Sequence, residues 1–133
     1  MISPENFIFD RIAKELRNLY EGITVTGEYV TNSTKFPVVT FDEADNSVYQ
    51  KMRTDKIENA VQLTYDINVY SNKVGYKKLE AKTIMATIDG MMADLGFTRT
   101  MCMPVKNLQD ASIYRLSARY YGVCDTTGRI FTN

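Results

Sequence analysis

Val61, Leu63, Tyr65, Ile67 and Val69 alternate without a break with Gln62, Thr64, Asp66, Asn68 and Tyr70. A period of two sends successive side chains to opposite faces, so residues 60–70 are predicted to form a strand with one buried face. A helical signal follows over 74–95. Ala81, Ile84, Met85, Ile88, Met91, Met92 and Leu95 make a broad apolar stripe, with Lys77, Lys78, Glu80 and Lys82 on its wet side. Ser71-Asn72 offers a cap at its start. Leu95-Gly96-Phe97 closes it, because glycine accepts the left-handed cap and Phe97 can pack back on the last turn.

The remaining elements are read in the same way. Ser3 can cap a first helix, with Pro4 at its first position and Glu5 favouring its positive end. Ile8, Phe9, Ile12, Leu16, Leu19 and Tyr20 give that helix an apolar stripe, and Gly22 ends it. Residues 23–30 alternate weakly, with Val25 and Tyr29 as anchors, and Thr31-Asn-Ser-Thr34 reads as a turn. Phe36–Phe41 is a short strand that Pro37 places at an edge or starts. From Asp42 to Asn59 the chain turns polar and loses its period, which is long for a connection within one domain. A projecting hairpin or loop that orders on assembly is expected there. A strand over Thr98–Val105, a turn over Lys106–Asp110 and a long strand over Ala111–Cys124 complete the block. Asp125–Gly128 is a tight turn, and Arg129–Phe131 a short last strand. The expected fold is α+β: an antiparallel or mixed sheet flanked by two main helices, with the long projecting segment, in a single domain over 1–133.

Composition narrows the function classes. Sixteen basic and sixteen acidic residues cancel, whereas a dedicated nucleic-acid binder is normally basic. A net charge near zero lowers self-repulsion and suits assembly with copies of the same chain. The chain has no histidine, which removes the commonest general base, His-dependent triads and most catalytic zinc sites. Neither a Walker phosphate loop nor G-x-G-x-x-G is present. Asp42-Glu43-Ala44-Asp45 spells the helicase motif, but without a phosphate loop it reads as chance. The same carboxylates match no EF-hand spacing, and a solvated acidic turn is the plainer reading than weak calcium binding. No catalytic residue, metal or cofactor is expected. Cys102 and Cys124 are expected to be reduced, apolar and unpaired. Met1–Glu5 lacks the basic start and apolar stretch of a secretory leader, and no segment approaches a membrane span, so a cytoplasmic chain is expected as made. The sequon at Asn32 is then chance.

Two face patterns stand out. In the long strand Tyr114, Leu116, Ala118 and Tyr120 share one side, and Arg115, Ser117, Arg119 and Tyr121 the other. The arginine side can serve a nucleic acid, a polar outer face or an intersubunit salt-bridge face. Tyrosines 49, 70, 114, 120 and 121 suit interfaces as well as core.

The stretches Gln62–Ser71, Met92-Ala-Asp-Leu-Gly-Phe-Thr-Arg99 and Ile113-Tyr-Arg-Leu-Ser-Ala-Arg-Tyr120, with the order of elements, resemble the tail terminator, or tail-completion, family of long-tailed bacteriophages. The similarity covers nearly the whole chain, best over 59–125. It implies a structural virion protein of the tail and neck, assembled in the host cytoplasm. Six copies would form a ring that caps the tail tube, stops its polymerisation and meets the head connector, while DNA passes the lumen without specific binding. It further implies a projecting segment over 42–59 that touches the neighbour. Asp42, Glu43 and Asp45 are then expected to face the lumen, and Tyr49, Met52, Arg53, Arg115, Arg119 and Tyr121 are candidates for subunit contacts. The 23–30 and 36–41 strands are the expected sheet edges. Another neck or head-closure component is the nearest alternative, a small nucleic-acid module a more distant one, and an enzyme the weakest.

Overall fold

The strand with the unbroken alternation lies at the middle of the sheet, where both its edges find partners. In a computed structural model that describes residues 1–28, 35–52, 58–106 and 110–132, there are six strands: β1 (Thr24–Thr26), β2 (Val38–Val48), β3 (Ala60–Ser71), β4 (Thr98–Val105), β5 (Tyr114–Asp125) and β6 (Ile130–Phe131). The helices are α1 (Glu5–Leu19) and α2 (Lys77–Leu95), and a single 3-10 turn spans Gln50–Met52. The sheet order is β1-β2-β3-β5-β4, with β6 added beside β5. β1 runs parallel to β2 and every other pair is antiparallel. This is the expected α+β architecture with a mixed sheet.

Both helices cover the same face. Ile8, Ile12, Ala13 and Leu16 of α1 and Ala81, Ile84, Met85, Ile88 and Met92 of α2 pack in one core. Their partners are Val39 and Phe41, Val61 to Val69 at every second position, and Leu116, Ala118 and Tyr120. Tyr65 anchors the centre, its ring stacked on Phe41 at 4.7 Å and edge-on to Phe97 at 5.5 Å. The opposite face of the sheet carries no helix among the described residues.

Several boundaries differ from the sequence reading. Ser3 makes no cap; Pro4 occupies that position and its carbonyl takes the Ile8 N–H at 3.0 Å. Leu19, the last residue of α1, is 55% exposed, so the buried stripe of the helix ends at Leu16. α2 starts at Lys77 after a turn, and its N-cap, Tyr76, makes no side-chain capping bond. Ser71 does not cap it: the residue belongs to β3, and its hydroxyl donates instead to Glu80 at 2.7 Å. β5 begins at Tyr114, since Asp110 folds residues 110–113 into a turn, accepting from the Ser112 N–H and hydroxyl. Tyr29, the 31–34 turn and residues 107–109 lie outside the described residues.

The close of α2 is as read. Gly96 has φ +108, the Phe97 N–H bonds Met92 O and the Gly96 N–H bonds Ala93 O, both at 3.0 Å, and Phe97 is buried. β6 locks onto this corner. A Cβ on Gly96 would stand 2.3 Å from Ile130 O, and one on Gly122 2.7 Å from the Phe97 ring. Cys102 and Cys124 are free. Their strands are neighbours, but Cys102 stands opposite Ala118, six residues short of Cys124 along β5 and roughly 20 Å from it.

Candidate assembly surface

The loss of apolar period at Asp42 does not end β2. β3 continues beside it and supplies ladder partners as far as Val48, which stands opposite Val61. Main-chain pairing thus carries a polar sequence through the sheet, and the expected excursion over 42–59 shrinks to residues 49–59, of which 53–57 lie outside the described set. β1 covers β2 only from Val38 to Thr40. From Phe41 to Val48 the outer edge of β2 has no strand partner among the described residues. The 36–41 strand is therefore not a whole edge: β1, within the expected 23–30 strand, is outermost beside Val38–Thr40, and beyond it the edge passes to the continuation of β2. β4 forms the other one.

Both edges carry features that discourage another strand. β2 has a bulge between Glu43 and Asp45 and three carboxylates, Asp42, Glu43 and Asp45. β4 has a bulge between Arg99 and Met101, and Pro104 lacks a donor. Bulges, charge and proline are the usual guards of a sheet edge.

The bulge also splits the acidic trio. Asp42 stands opposite Asp66 and Asp45 opposite Thr64, on the open face. Glu43 stands opposite Tyr65, on the helix-covered side, and accepts the Tyr65 hydroxyl at 3.0 Å. Burial and then the Glu43 carboxylate push the Tyr65 hydroxyl well above the ordinary tyrosine range. Glu5, at the start of α1, is pushed up by burial, by Glu43 and by Asp42. Alternation thus turns Glu43 to the opposite face of the sheet from Asp42 and Asp45.

The open face gathers residues that the sequence had placed in separate groups. Arg119 pairs with Asp66, Nε to Oδ1 at 2.7 Å and Nη2 to Oδ2 at 3.1 Å. Arg115 donates to Asn68 Oδ1 at 3.0 Å and lies over the Tyr70 ring. Thr40, Asn68 and Ser117 are buried polar residues in the middle of the face. Tyr121 is half-buried; burial, Tyr49 and Asp45 push its hydroxyl up. Tyr49 is buried in a small second cluster with Ala60 and Val123, packed by Tyr121 and Phe131. It belongs to the subunit's own packing, which corrects its candidacy as a free contact residue. The Met52 side chain and Arg53 lie outside the described residues. A cleft of about 220 Å³ sits on this face, lined by Gly27, Thr40, Asp42, Asp66, Asn68 and Arg115 among others.

A further surface was missed. Val74, Tyr76 and Leu79 are 93%, 59% and 63% exposed, a concentration of large apolar side chains at the start of α2. Lys73, Lys78 and Lys82 surround them, and Lys77 donates to the carbonyls of Ala111 and Ser112. The signal was present for two of them: Tyr76 and Leu79 fall off the spacing of the buried stripe Ala81, Ile84, Met85 and Ile88, while Val74 precedes the helix. Asp66 as the partner of Arg119 was also missed, because cross-strand pairing depends on a register that only the folded sheet fixes.

Among the described residues no three Cys, Asp or Glu side chains stand close enough to hold a metal ion, and no helix is long and apolar enough to cross a membrane. A scan against protein-family models finds no family that matches this chain, and a search of curated proteins finds no matching relative.

Proposed function

We propose that this chain is a structural subunit of a homo-oligomeric ring that ends tail-tube growth and joins the tail to the head connector in a long-tailed phage or related particle. Its place is the virion neck, its partners are copies of itself, the tube protein and the connector, and it carries out no chemistry of its own. The observation that carries the reading is the outer edge of β2: eight residues, Phe41–Val48, without a strand partner among the described residues, bulged and acidic. Such an edge refuses a further strand yet stays open to a charged side-chain surface. The similarity to the tail terminator family and the balanced net charge point the same way.

The arginine face favours this reading over a nucleic-acid module. Arg119 is paired with Asp66, and Arg115 donates to Asn68 and lies over the Tyr70 ring, so both guanidiniums are already engaged within the subunit. DNA that passes such a ring is guided without being gripped.

The test is polymerisation of a tail-tube protein from the same source, with and without the chain present. Tubes of limited length capped at one end by a ring are expected in electron micrographs. Tubes of unchanged length with bare ends would overturn the function.

A further inference from the structure

We propose that the lysine-rimmed apolar patch at the N-terminal end of α2 docks on the acidic outer edge of β2 of a second copy of this chain. The proposal rests on the ring reading and names the contact that builds it.

The two surfaces carry opposite unpaired charge. Asp42 and Asp45 enter none of the ion pairs among the described residues, and neither do Lys73, Lys77, Lys78 and Lys82; Glu43 turns inward to Tyr65 and takes no part in this surface. Lys77 and Lys78 sit in the first turn of α2, at the positive end of the helix, where basic residues are disfavoured. Lys77 ties the helix start to the carbonyls of Ala111 and Ser112, whereas the helix end gives Lys78 no local folding advantage. Val74, Tyr76 and Leu79 stand exposed between the lysines, giving the patch an apolar centre with a charged rim, the layout of a protein contact.

One subunit cannot close this contact on itself. Ser71 and Glu80 tie the start of α2 to the end of β3. Asp45 stands opposite Thr64, seven residues back along β3, roughly 23 Å away. α2 packs on β3, β5 and β4, whereas the acidic edge is on the far side of β2. The partner surfaces thus lie at different ends and different sides of one molecule. Contact between them is head-to-tail, the kind that closes into a ring when the rotation per step divides a full turn.

Charge reversal tests this directly. Lys78→Glu/Lys82→Glu and Asp42→Lys/Asp45→Lys are made as separate double variants, and their mass in native conditions is compared with the wild type over a concentration series. Circular dichroism confirms that each folds. Each variant alone is expected to need a roughly hundredfold higher concentration to assemble. An equal mixture should assemble again, because every contact in an alternating ring then pairs unlike charges. Assembly of Lys78→Glu/Lys82→Glu at wild-type concentrations overturns the proposed contact while leaving the ring intact. A wild type that never assembles overturns the ring reading, and the contact with it.

Discussion

Arg119 on β5 and Asp66 on β3 face each other across the ladder and make two hydrogen bonds, at 2.7 and 3.1 Å. On its other side Asp66 stands directly opposite Asp42. Arg119 therefore offsets a like-charge neighbour as well as forming its own pair. Arg119→Ala is expected to lower the urea midpoint more than Asp66→Asn, because the second change also relieves the Asp42–Asp66 repulsion. Adding Asp42→Asn to Arg119→Ala should recover part of the loss. Chemical denaturation of the four proteins gives the order.

Tyr65 and Glu43 form the polar point of an otherwise apolar centre. Tyr65 is fully buried and its hydroxyl has Glu43 as acceptor. Tyr65→Phe keeps the ring packing against Phe41 and Phe97 but leaves the Glu43 carboxylate short of a donor, at a cost of about 1–2 kcal/mol. Equilibrium unfolding measures it.

Glu5 gives the structure a pH dependence of known sign. Its folded-state pKa is raised above the ordinary carboxylate value, first by burial, then by Glu43 and Asp42. A raised carboxyl favours the protonated native state, so its contribution is fully present below that ordinary value and is lost as pH rises through the folded one. Glu5→Gln is expected to stabilise the protein at pH 7 by on the order of a few tenths of a kcal/mol after solvent screening. The gain should vanish below the ordinary carboxylate range. Thermal unfolding of both proteins across pH 3–7 (roughly the carboxylate range) follows it.

Gly96 is the backbone position that tolerates least. Its φ of +108 suits glycine alone, and a Cβ there meets the Ile130 carbonyl. Gly96→Ala should cost about 2 kcal/mol or more and loosen the β6 corner. Gly90, with open space around its Cβ position, is the control: Gly90→Ala sits in the helix interior and should stabilise by roughly 0.5–1 kcal/mol.

The parts of this fold that were legible in the sequence are those where burial imposes a period. β3, the stripe of α2, the Gly96–Phe97 closure and the two faces of β5 all came from residue spacing. β2 was cut short at Phe41, because Asp42–Val48 is held by main-chain pairing to β3 and not by a buried face of its own. The same cause scattered the candidate site. Asp42, Glu43 and Asp45 read as one acidic group, but strand alternation and the bulge at Ala44 send Glu43 to Tyr65 and the two aspartates to the open face. Arg115 and Arg119 read as one face open to a nucleic acid, to solvent or to a neighbouring subunit; Asn68 and Asp66, their partners, lie 47 and 53 positions away in sequence. The apolar group at Val74, Tyr76 and Leu79 was absorbed into the start of a helix whose buried stripe begins only at Ala81.

The central claim is that this chain closes into a ring through unlike surfaces of identical subunits. Native mass spectrometry of the purified chain, alone and with the tube protein, tests it most directly. A single closed species, an integral multiple of the subunit mass and most simply six copies, is the predicted result. A monomer at every concentration, with and without the tube protein, or an open ladder of sizes that never closes, would contradict it.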